Sequence, residues 1–172
     1  VMERFLTEKL IKWKDSPRRK PLLIQGARQV GKTWLMKEFG RTAYKKTAYV
    51  SFFKNQSMKS VFDTDYDTER ILMNIAAETG VNVTPSDTLI IFDEIQEAPK
   101  ALESLKYFCE SAPGYHVMAA GSLLGVAMHN GVSFPVGKVN EITLYPMSFQ
   151  EFLLAMGERQ LAELLRDRKY VW

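Results

Sequence analysis

The stretch "PLLIQGARQVGKTWLMKEF", residues 21–39, determines the fold class that this sequence predicts. Its apolar start is predicted to form a strand, and "KTWLMKEFG" is predicted to form a helix that ends at Gly40. Between them, residues 26–33 match the pattern G-x-x-x-x-G-K-[ST] at every required position. Strand, glycine-containing loop and helix thus follow one another in the order that is typical of a phosphate-binding loop.

Each required position of this loop has a chemical reason. Glycines let the backbone curl so that its N–H groups point inward, at the positive end of the following helix. Lys32 can then reach the β- and γ-phosphates of a nucleotide, and the Thr33 hydroxyl is placed to ligate Mg²⁺. We therefore expect a nucleoside triphosphate to bind this loop. The variable loop positions Arg28 and Gln29 either touch the ligand or face solvent. The predicted contacts are Gly26, Ala27, Arg28, Gln29, Val30, Gly31, Lys32 and Thr33.

A second signal is "LIIFDEIQ", residues 89–96, in which two acidic residues follow an apolar strand. In open α/β folds the ligand lies at the carboxyl ends of the strands, where a carboxylate can meet the Mg²⁺ held by Thr33. Asp93 is the predicted metal ligand. Glu94 would point in another direction and could orient or deprotonate a water for attack on the γ-phosphate.

A third signal is "MAAGSLLG", which places Ser122 just past a predicted strand. If that strand lies between the first and third strands, Ser122 could hydrogen-bond the attacking water or the γ-phosphate. The alternative is a serine that serves a turn or a helix cap, and the sequence leaves the two open.

The rest of the chain alternates between strand and helix patterns. Further strands are predicted at 47–53, 88–92, 115–120 and 141–145, and helices at 2–14, 68–79, after Pro99 and from Ser148 to Gly157. Nearly continuous apolar strands are typical of a parallel sheet that is covered on both faces, so the predicted class is α/β. We predict three parts: residues 1–20 as an amphipathic helix with a basic loop, residues 21–145 as the core, and residues 146–172 as a helical extension toward a missing further domain.

Composition sets outer limits. The 172 residues are 46% hydrophobic and 12% aromatic, which suits one domain with a small appendage, and the net charge of +3 neither proves nor excludes a polyanionic partner. A single cysteine, Cys109, favours a reducing compartment. The apolar run from Val117 to Met128 is shorter than the roughly 20 residues that cross a bilayer. We expect a soluble, cytoplasmic protein with no membrane contact.

Three weaker patterns carry no site. "DTDYDT" at 63–68 lacks the glycine and the glutamate of a calcium loop, so Asp67 is predicted to cap a helix instead. His116 and His129 are too isolated for a metal site. The basic stretch at 18–20 could touch a nucleic acid backbone, but no reader motif accompanies it, and a solvated loop is the simpler interpretation.

In these motifs the chain resembles the ATPase domain of the large prokaryotic AAA+-type P-loop ATPases. Those proteins carry an additional C-terminal domain of poorly defined function. The resemblance covers nearly all of the chain. Four blocks carry it in the expected order: "PLLIQGARQVGKTWLMKEF", "IIFDEIQEAPKALESLKYF", "AAGSLLG" and "EITLYPMSFQEFL".

The resemblance implies a P-loop NTPase fold, a three-layer α/β/α sandwich with a mainly parallel five-stranded sheet in the order 5-1-4-3-2. It also implies ATP and Mg²⁺ as ligands, magnesium coordination through Asp93, catalytic Glu94 and Lys32, and a sensor-like Ser122. One position departs from the family: Gly137 is followed by Lys138 where Arg is usual, and a lysine cannot clamp phosphate oxygens as a planar guanidinium does.

The function predicted from these observations is ATP hydrolysis with Mg²⁺ that drives a conformational switch. Two alternatives remain: a P-loop kinase that passes the phosphoryl group to a small acceptor, and a nucleotide-gated binding module that hardly hydrolyses. The sequence does not determine whether the output acts on nucleic acid or on a protein, nor whether the chain forms a homo-oligomer.

Overall fold

The structure, a computed structural model, describes residues 2–26, 31–122, 124 and 133–144. None of the helices in this part of the chain has the length and apolarity that crossing a bilayer demands. Strand bounds agree with the predicted ones to within two residues. The elements in chain order are α1 (Met2–Asp15), β1 (Leu22–Gly26), α2 (Lys32–Ala43), β2 (Lys46–Ser51), α3 (Gln56–Ser60), α4 (Thr68–Thr79), β3 (Thr88–Asp93), a 3₁₀ turn (Ile95–Glu97), α5 (Pro99–Ser111), β4 (His116–Gly121) and β5 (Asn140–Leu144).

The five strands form one sheet in the order β2-β3-β4-β1-β5, and every pair is parallel. This is the predicted order 5-1-4-3-2 read from the other edge, so the fold prediction is confirmed. Strand β4 lies between β1 and β3, which is the condition set for Ser122 to approach the glycine loop. Because all strands run the same way, their carboxyl ends meet at one edge of the sheet.

Alternate residues of β1 to β4 pack into two hydrophobic cores, one on each face of the sheet, whereas the edge strand β5 contributes only to one of them. On β3, Leu89 and Ile91 belong to the core shared with α1 and α2, whereas Ile90 and Phe92 belong to the core shared with α4 and α5. Burial on both faces explains why the strands read as continuous apolar runs. The layers are therefore helices, sheet and helices, as predicted.

Gly40 does not end α2, so that prediction is wrong. The helix continues to Ala43, and Gly40 is buried within it. A Cβ at Gly40 would collide with the Thr47 side chain, whose Cγ2 and Cβ would lie 3.1 and 3.3 Å away. Gly40 thus lets α2 pack closely against β2, and a glycine that serves helix packing has the same local sequence pattern as a glycine that ends a helix.

We expect Gly40→Ala to lower the free energy of unfolding by up to about 2 kcal/mol, because overpacking costs about 1–3 kcal/mol and is only partly offset by the roughly 1 kcal/mol gained in helix propensity. Thermal unfolding should show a midpoint lower by up to about 8 °C. Thr47→Ala in the same chain should recover part of the loss. A Gly40→Ala chain more stable than the original would contradict the close packing.

Other helix signals hold. The Asp67 side chain accepts a hydrogen bond from the Glu69 N–H and caps α4, and Gly80 ends that helix with φ of 71°. The helix α3 and the 3₁₀ turn were not predicted, because elements of five and three residues are too short to show a period. The helix predicted from Ser148 to Gly157 lies outside the described residues.

The amino-terminal edge of the sheet, opposite the glycine loop, contains the predicted basic loop. The Arg19 guanidinium donates to the carbonyls of Lys14 at 3.1 Å and Pro113 at 2.9 Å, so this arginine joins two segments of the chain. Nearby, the Tyr44 hydroxyl and His116 Nδ1 are 2.6 Å apart, and burial lowers the pKa of His116 to about 4. The His116 ring is therefore neutral at pH 7 and packs as part of the core.

Candidate functional site

Three chain segments meet at the carboxyl edge of the sheet. Strand β1 ends at Gly26 and leads toward α2, β3 ends at Asp93, and β4 ends at Gly121 just before Ser122. Because β4 separates β1 from β3, the first and third strands are not neighbours. The contact between the glycine-loop segment and Asp93 is made instead through the first turn of α2.

Both glycines that the motif requires occupy positions that other residues would strain. Gly31 precedes α2 with φ of 84°, a left-handed conformation that glycine adopts without steric cost. At Gly26, a Cβ would lie 2.5 Å from the Leu144 carbonyl oxygen on the neighbouring strand β5. The intervening predicted contacts, Ala27 to Val30, lie outside the described residues.

The amino end of α2 carries no side-chain cap, and its first turn contains no acidic residue. The first N–H groups of a helix have no partner within the helix, and the helix dipole makes this end electropositive. The N–H groups at such an end can donate hydrogen bonds to the oxygens of an anion such as phosphate. Lys32 and Thr33 stand at the first two positions of this helix.

The Lys32 side chain contacts the end of β1. Its Nζ donates to the Gly26 carbonyl oxygen at 2.7 Å. Partial burial lowers the pKa of the Lys32 ammonium, while the negative charges of Glu94 and Asp93 act in the opposite direction. The structure therefore brings Lys32 within electrostatic range of both predicted acidic residues, although they are about 60 positions away in the sequence.

Asp93 is buried, and three donors hold its carboxylate. Its Oδ2 accepts from the Thr33 hydroxyl and from the Tyr49 hydroxyl, each at 2.6 Å, and its Oδ1 accepts from the Glu94 N–H at 2.9 Å. Only 3% of Asp93 is exposed. A carboxylate has about four acceptor sites, so one site remains after these three hydrogen bonds.

Tyr49 is a site residue that sequence reasoning missed. It stands on β2 two residues before Ser51, which is paired in register with Asp93. A strand advances about 3.3 Å per residue, and a tyrosine side chain can span the two-residue gap. Burial, and then the contact with Asp93, raise the pKa of Tyr49, so the hydroxyl stays a donor near neutral pH. The sequence carries no local signal for this contact, because the contact depends on the pairing of β2 with β3.

Glu94 adopts a backbone conformation that is rare for glutamate. Its φ is 53° and its ψ is 44°, in the left-handed region. Such a conformation costs a non-glycine residue about 1–2 kcal/mol, and residues that adopt it cluster at functional sites. That the Glu94 and Asp93 side chains point in different directions stays a prediction.

A second residue missed by sequence reasoning, Gln96, joins Glu94 to the end of β4. Its side-chain amide donates to Glu94 Oε2, and its Oε1 accepts from the Ser122 N–H at 3.3 Å. Ser122 is 5% exposed. The structure therefore assembles Lys32, Thr33, Asp93, Glu94 and Ser122 at one edge of the sheet.

Lys138 lies elsewhere. It precedes β5 and therefore stands at the amino-terminal edge, where its Nζ is 3.2 Å from Glu110 Oε1 at the end of α5. A side chain at that edge cannot reach the loop of its own domain across the length of a strand.

A comparison with known protein families identifies the family of this chain. The family model described as "AAA domain" matches residues 18–153, which include every described site residue. No curated protein matches the chain significantly.

Proposed function

The chain belongs to the AAA domain family, which indicates a nucleotide-binding, ATPase-like module, and from this premise we propose that it hydrolyses ATP with Mg²⁺ to drive a conformational switch. The observation that supports the proposal best is the hydrogen bond from the Thr33 hydroxyl to Asp93, at 2.6 Å. It joins the helix that follows the glycine loop to the carboxylate that ends β3. An ordinary strand-to-helix turn has no need of such a link.

The triphosphate of ATP would bind at residues 26–33. The N–H groups at the amino end of α2 and the Lys32 ammonium would neutralise the phosphate oxygens, and the charge that develops on the transferred group would be stabilised there. To contact the phosphates, Lys32 would replace its hydrogen bond to the Gly26 carbonyl by hydrogen bonds to phosphate oxygens. This exchange replaces a neutral acceptor by a charged one, which forms the stronger hydrogen bond.

Thr33 and Asp93 would hold Mg²⁺, and their geometry suits it. The Thr33 hydroxyl donates its hydrogen bond to Asp93, which leaves the lone pairs of the Thr33 oxygen for a cation. Magnesium commonly takes one or two carboxylates and keeps several waters, so a single Asp93 that binds through water is enough. When bound, the ion would neutralise negative charge on the triphosphate.

Glu94 would orient and deprotonate the attacking water. It directly follows the predicted metal ligand in the chain, and its carboxylate is near enough to Lys32 to influence that ammonium. A partly buried carboxylate near the γ-phosphate can accept a proton from water as the new P–O bond forms and the bond to the ADP leaving group breaks. Ser122, at the end of β4, would contact the water or the phosphate.

The test is phosphate release from ATP by the unsubstituted chain, with and without Mg²⁺ and with and without added DNA or RNA. ATP binding is measured separately by calorimetry. Release of inorganic phosphate into water supports the ATPase, whereas phosphoryl transfer that needs an added acceptor would favour a kinase. Tight ATP binding without turnover under every condition would favour a nucleotide-gated binding module and overturn the proposal.

Tyr49 supplies a test of the metal site. We expect Tyr49→Phe to raise the Mg²⁺ concentration needed for half-maximal turnover by about tenfold, because loss of a hydrogen bond that orients a metal ligand typically costs 10- to 100-fold in metal affinity. The measurement is a Mg²⁺ titration of phosphate release at saturating ATP.

Tyr66→Phe is the matched control for this titration. The Tyr66 hydroxyl also donates to a carboxylate, Glu103 Oε2 at 2.7 Å, but this pair joins the segment before α4 to α5 and includes none of the site residues. Its Mg²⁺ dependence should be unchanged. An unchanged Mg²⁺ dependence in Tyr49→Phe as well would argue against Asp93 as the metal ligand.

A further inference from the structure

Gln96 joins two parts of the site that the proposed mechanism treats separately. Its Nε2 donates to Glu94 Oε2, and its Oε1 accepts from the Ser122 N–H at 3.3 Å. These partners determine the orientation of the amide, because only the nitrogen can donate to a carboxylate and only the oxygen can accept from an N–H. One side chain therefore links the turn after β3 to the end of β4.

The residues around Gln96 leave space for its side-chain amide. A Cβ at Gly121 would lie 2.9 Å from Gln96 Oε1 and 3.1 Å from Ile95 Cγ2. The glycine thus leaves the space in which the amide crosses the end of β4. Ile95, the residue between Glu94 and Gln96, is fully buried and anchors the 3₁₀ turn in the core. Gln96 is held by its backbone on one side and by two polar partners on the other.

The hydrogen bond matters because a glutamate side chain has three rotatable bonds. Without a partner, the Glu94 carboxylate would sample several rotamers, and a general base that leaves its productive position loses rate steeply. The bond uses Oε2, so Oε1 remains to accept from a water. The link to the Ser122 N–H also means that a shift of β4's end would carry the amide and the carboxylate with it.

We propose that Gln96 is a positioning residue of the ATPase site, which holds the Glu94 carboxylate and couples its position to the end of β4. The inference rests on the proposed function, since it assumes that Glu94 acts on the attacking water. It adds a residue that neither contacts the metal ligand nor belongs to the glycine loop. It also gives a physical path by which a change near Ser122 reaches the base.

Two substitutions separate the two hydrogen bonds. Gln96→Leu removes both, whereas Gln96→Glu keeps an acceptor for the Ser122 N–H but loses the donor and sets a like charge beside Glu94. We expect both variants to lower kcat by about 10- to 100-fold, with ATP affinity within about threefold of the unsubstituted chain. Asn74→Leu, which removes an amide that donates to the Arg70 carbonyl within α4, should change neither quantity.

A spectroscopic measurement tests the contact without turnover. The side-chain amide signal of Gln96, assigned by its loss in Gln96→Leu, should shift in a Glu94→Ala chain in the absence of nucleotide. An unchanged signal, or a Gln96→Leu chain with an unchanged or raised kcat, would overturn the role of Gln96 while leaving the ATPase intact. Absence of phosphate release by the unsubstituted chain would overturn the ATPase proposal itself, and with it this role. A kcat lost only in parallel with thermal stability would show that Gln96 is merely structural.

Discussion

Glu94→Gln is expected to lower ATP turnover by about 10²- to 10⁴-fold while ATP binding stays within about threefold of the unsubstituted chain. The amide has nearly the shape of the carboxylate but cannot take a proton from water. Gln96 can still donate to the amide oxygen, so the link to β4 is kept. The loss should therefore appear in kcat, measured by phosphate release, and not in the dissociation constant.

Glu97→Gln is the matched control for this experiment. It makes the same change three residues later, at the end of the same 3₁₀ turn, where Glu97 lies beyond the site contacts described above. Turnover in this control should be unchanged. If Glu94→Gln turns over as fast as Glu97→Gln does, Glu94 is not the base and the attacking water must be activated by another group.

Lys32→Ala should have the opposite signature, a loss of binding. A hydrogen bond to a charged group contributes about 1.5–3 kcal/mol, so we expect the dissociation constant of ATP to rise by roughly 10- to 100-fold. Calorimetric titration of ATP measures it directly. ADP should be affected less than ATP, because Lys32 would interact with the γ-phosphate as well as the β-phosphate.

Arg41→Ala controls for the loss of a cation from the same helix. Arg41 stands in the last turn of α2, where it pairs with Glu38 on the surface. Its removal should leave ATP affinity unchanged. Thermal unfolding without nucleotide checks that Lys32→Ala remains folded after losing the bond to the Gly26 carbonyl. A folded Lys32→Ala chain with unchanged ATP affinity would argue against the loop as the triphosphate site.

Much of the fold could be predicted because its signals are local. The apolar run of β3 is continuous since Leu89, Ile90, Ile91 and Phe92 are buried alternately on two faces, and the sequence displays that directly. The strand order could not be predicted from local signals, because it depends on which strands pair across the sheet. It was predicted only from the resemblance to a family.

The glycine loop and the acidic pair could be found from sequence because each occupies consecutive positions with a required spacing. Tyr49 and Gln96 could not, since each reaches the site across space. Tyr49 contacts Asp93 from a neighbouring strand, 44 residues away, and Gln96 contacts Ser122 across 26 residues. The prediction that Gly40 ends α2 was wrong for a related reason. The role of Gly40 depends on its contact with Thr47 on β2, which the sequence of the helix does not show.

The left-handed backbone at Glu94 predicts that selection for expression and selection for turnover would favour different residues at this position. Glycine and asparagine tolerate that conformation better than glutamate does, so a library at position 94 screened for expression alone should enrich those two residues. A library screened for nucleotide turnover should restore glutamate despite its steric disadvantage. If the two screens favour different residues at position 94, then glutamate is retained there for its chemistry, although its backbone conformation is unfavourable.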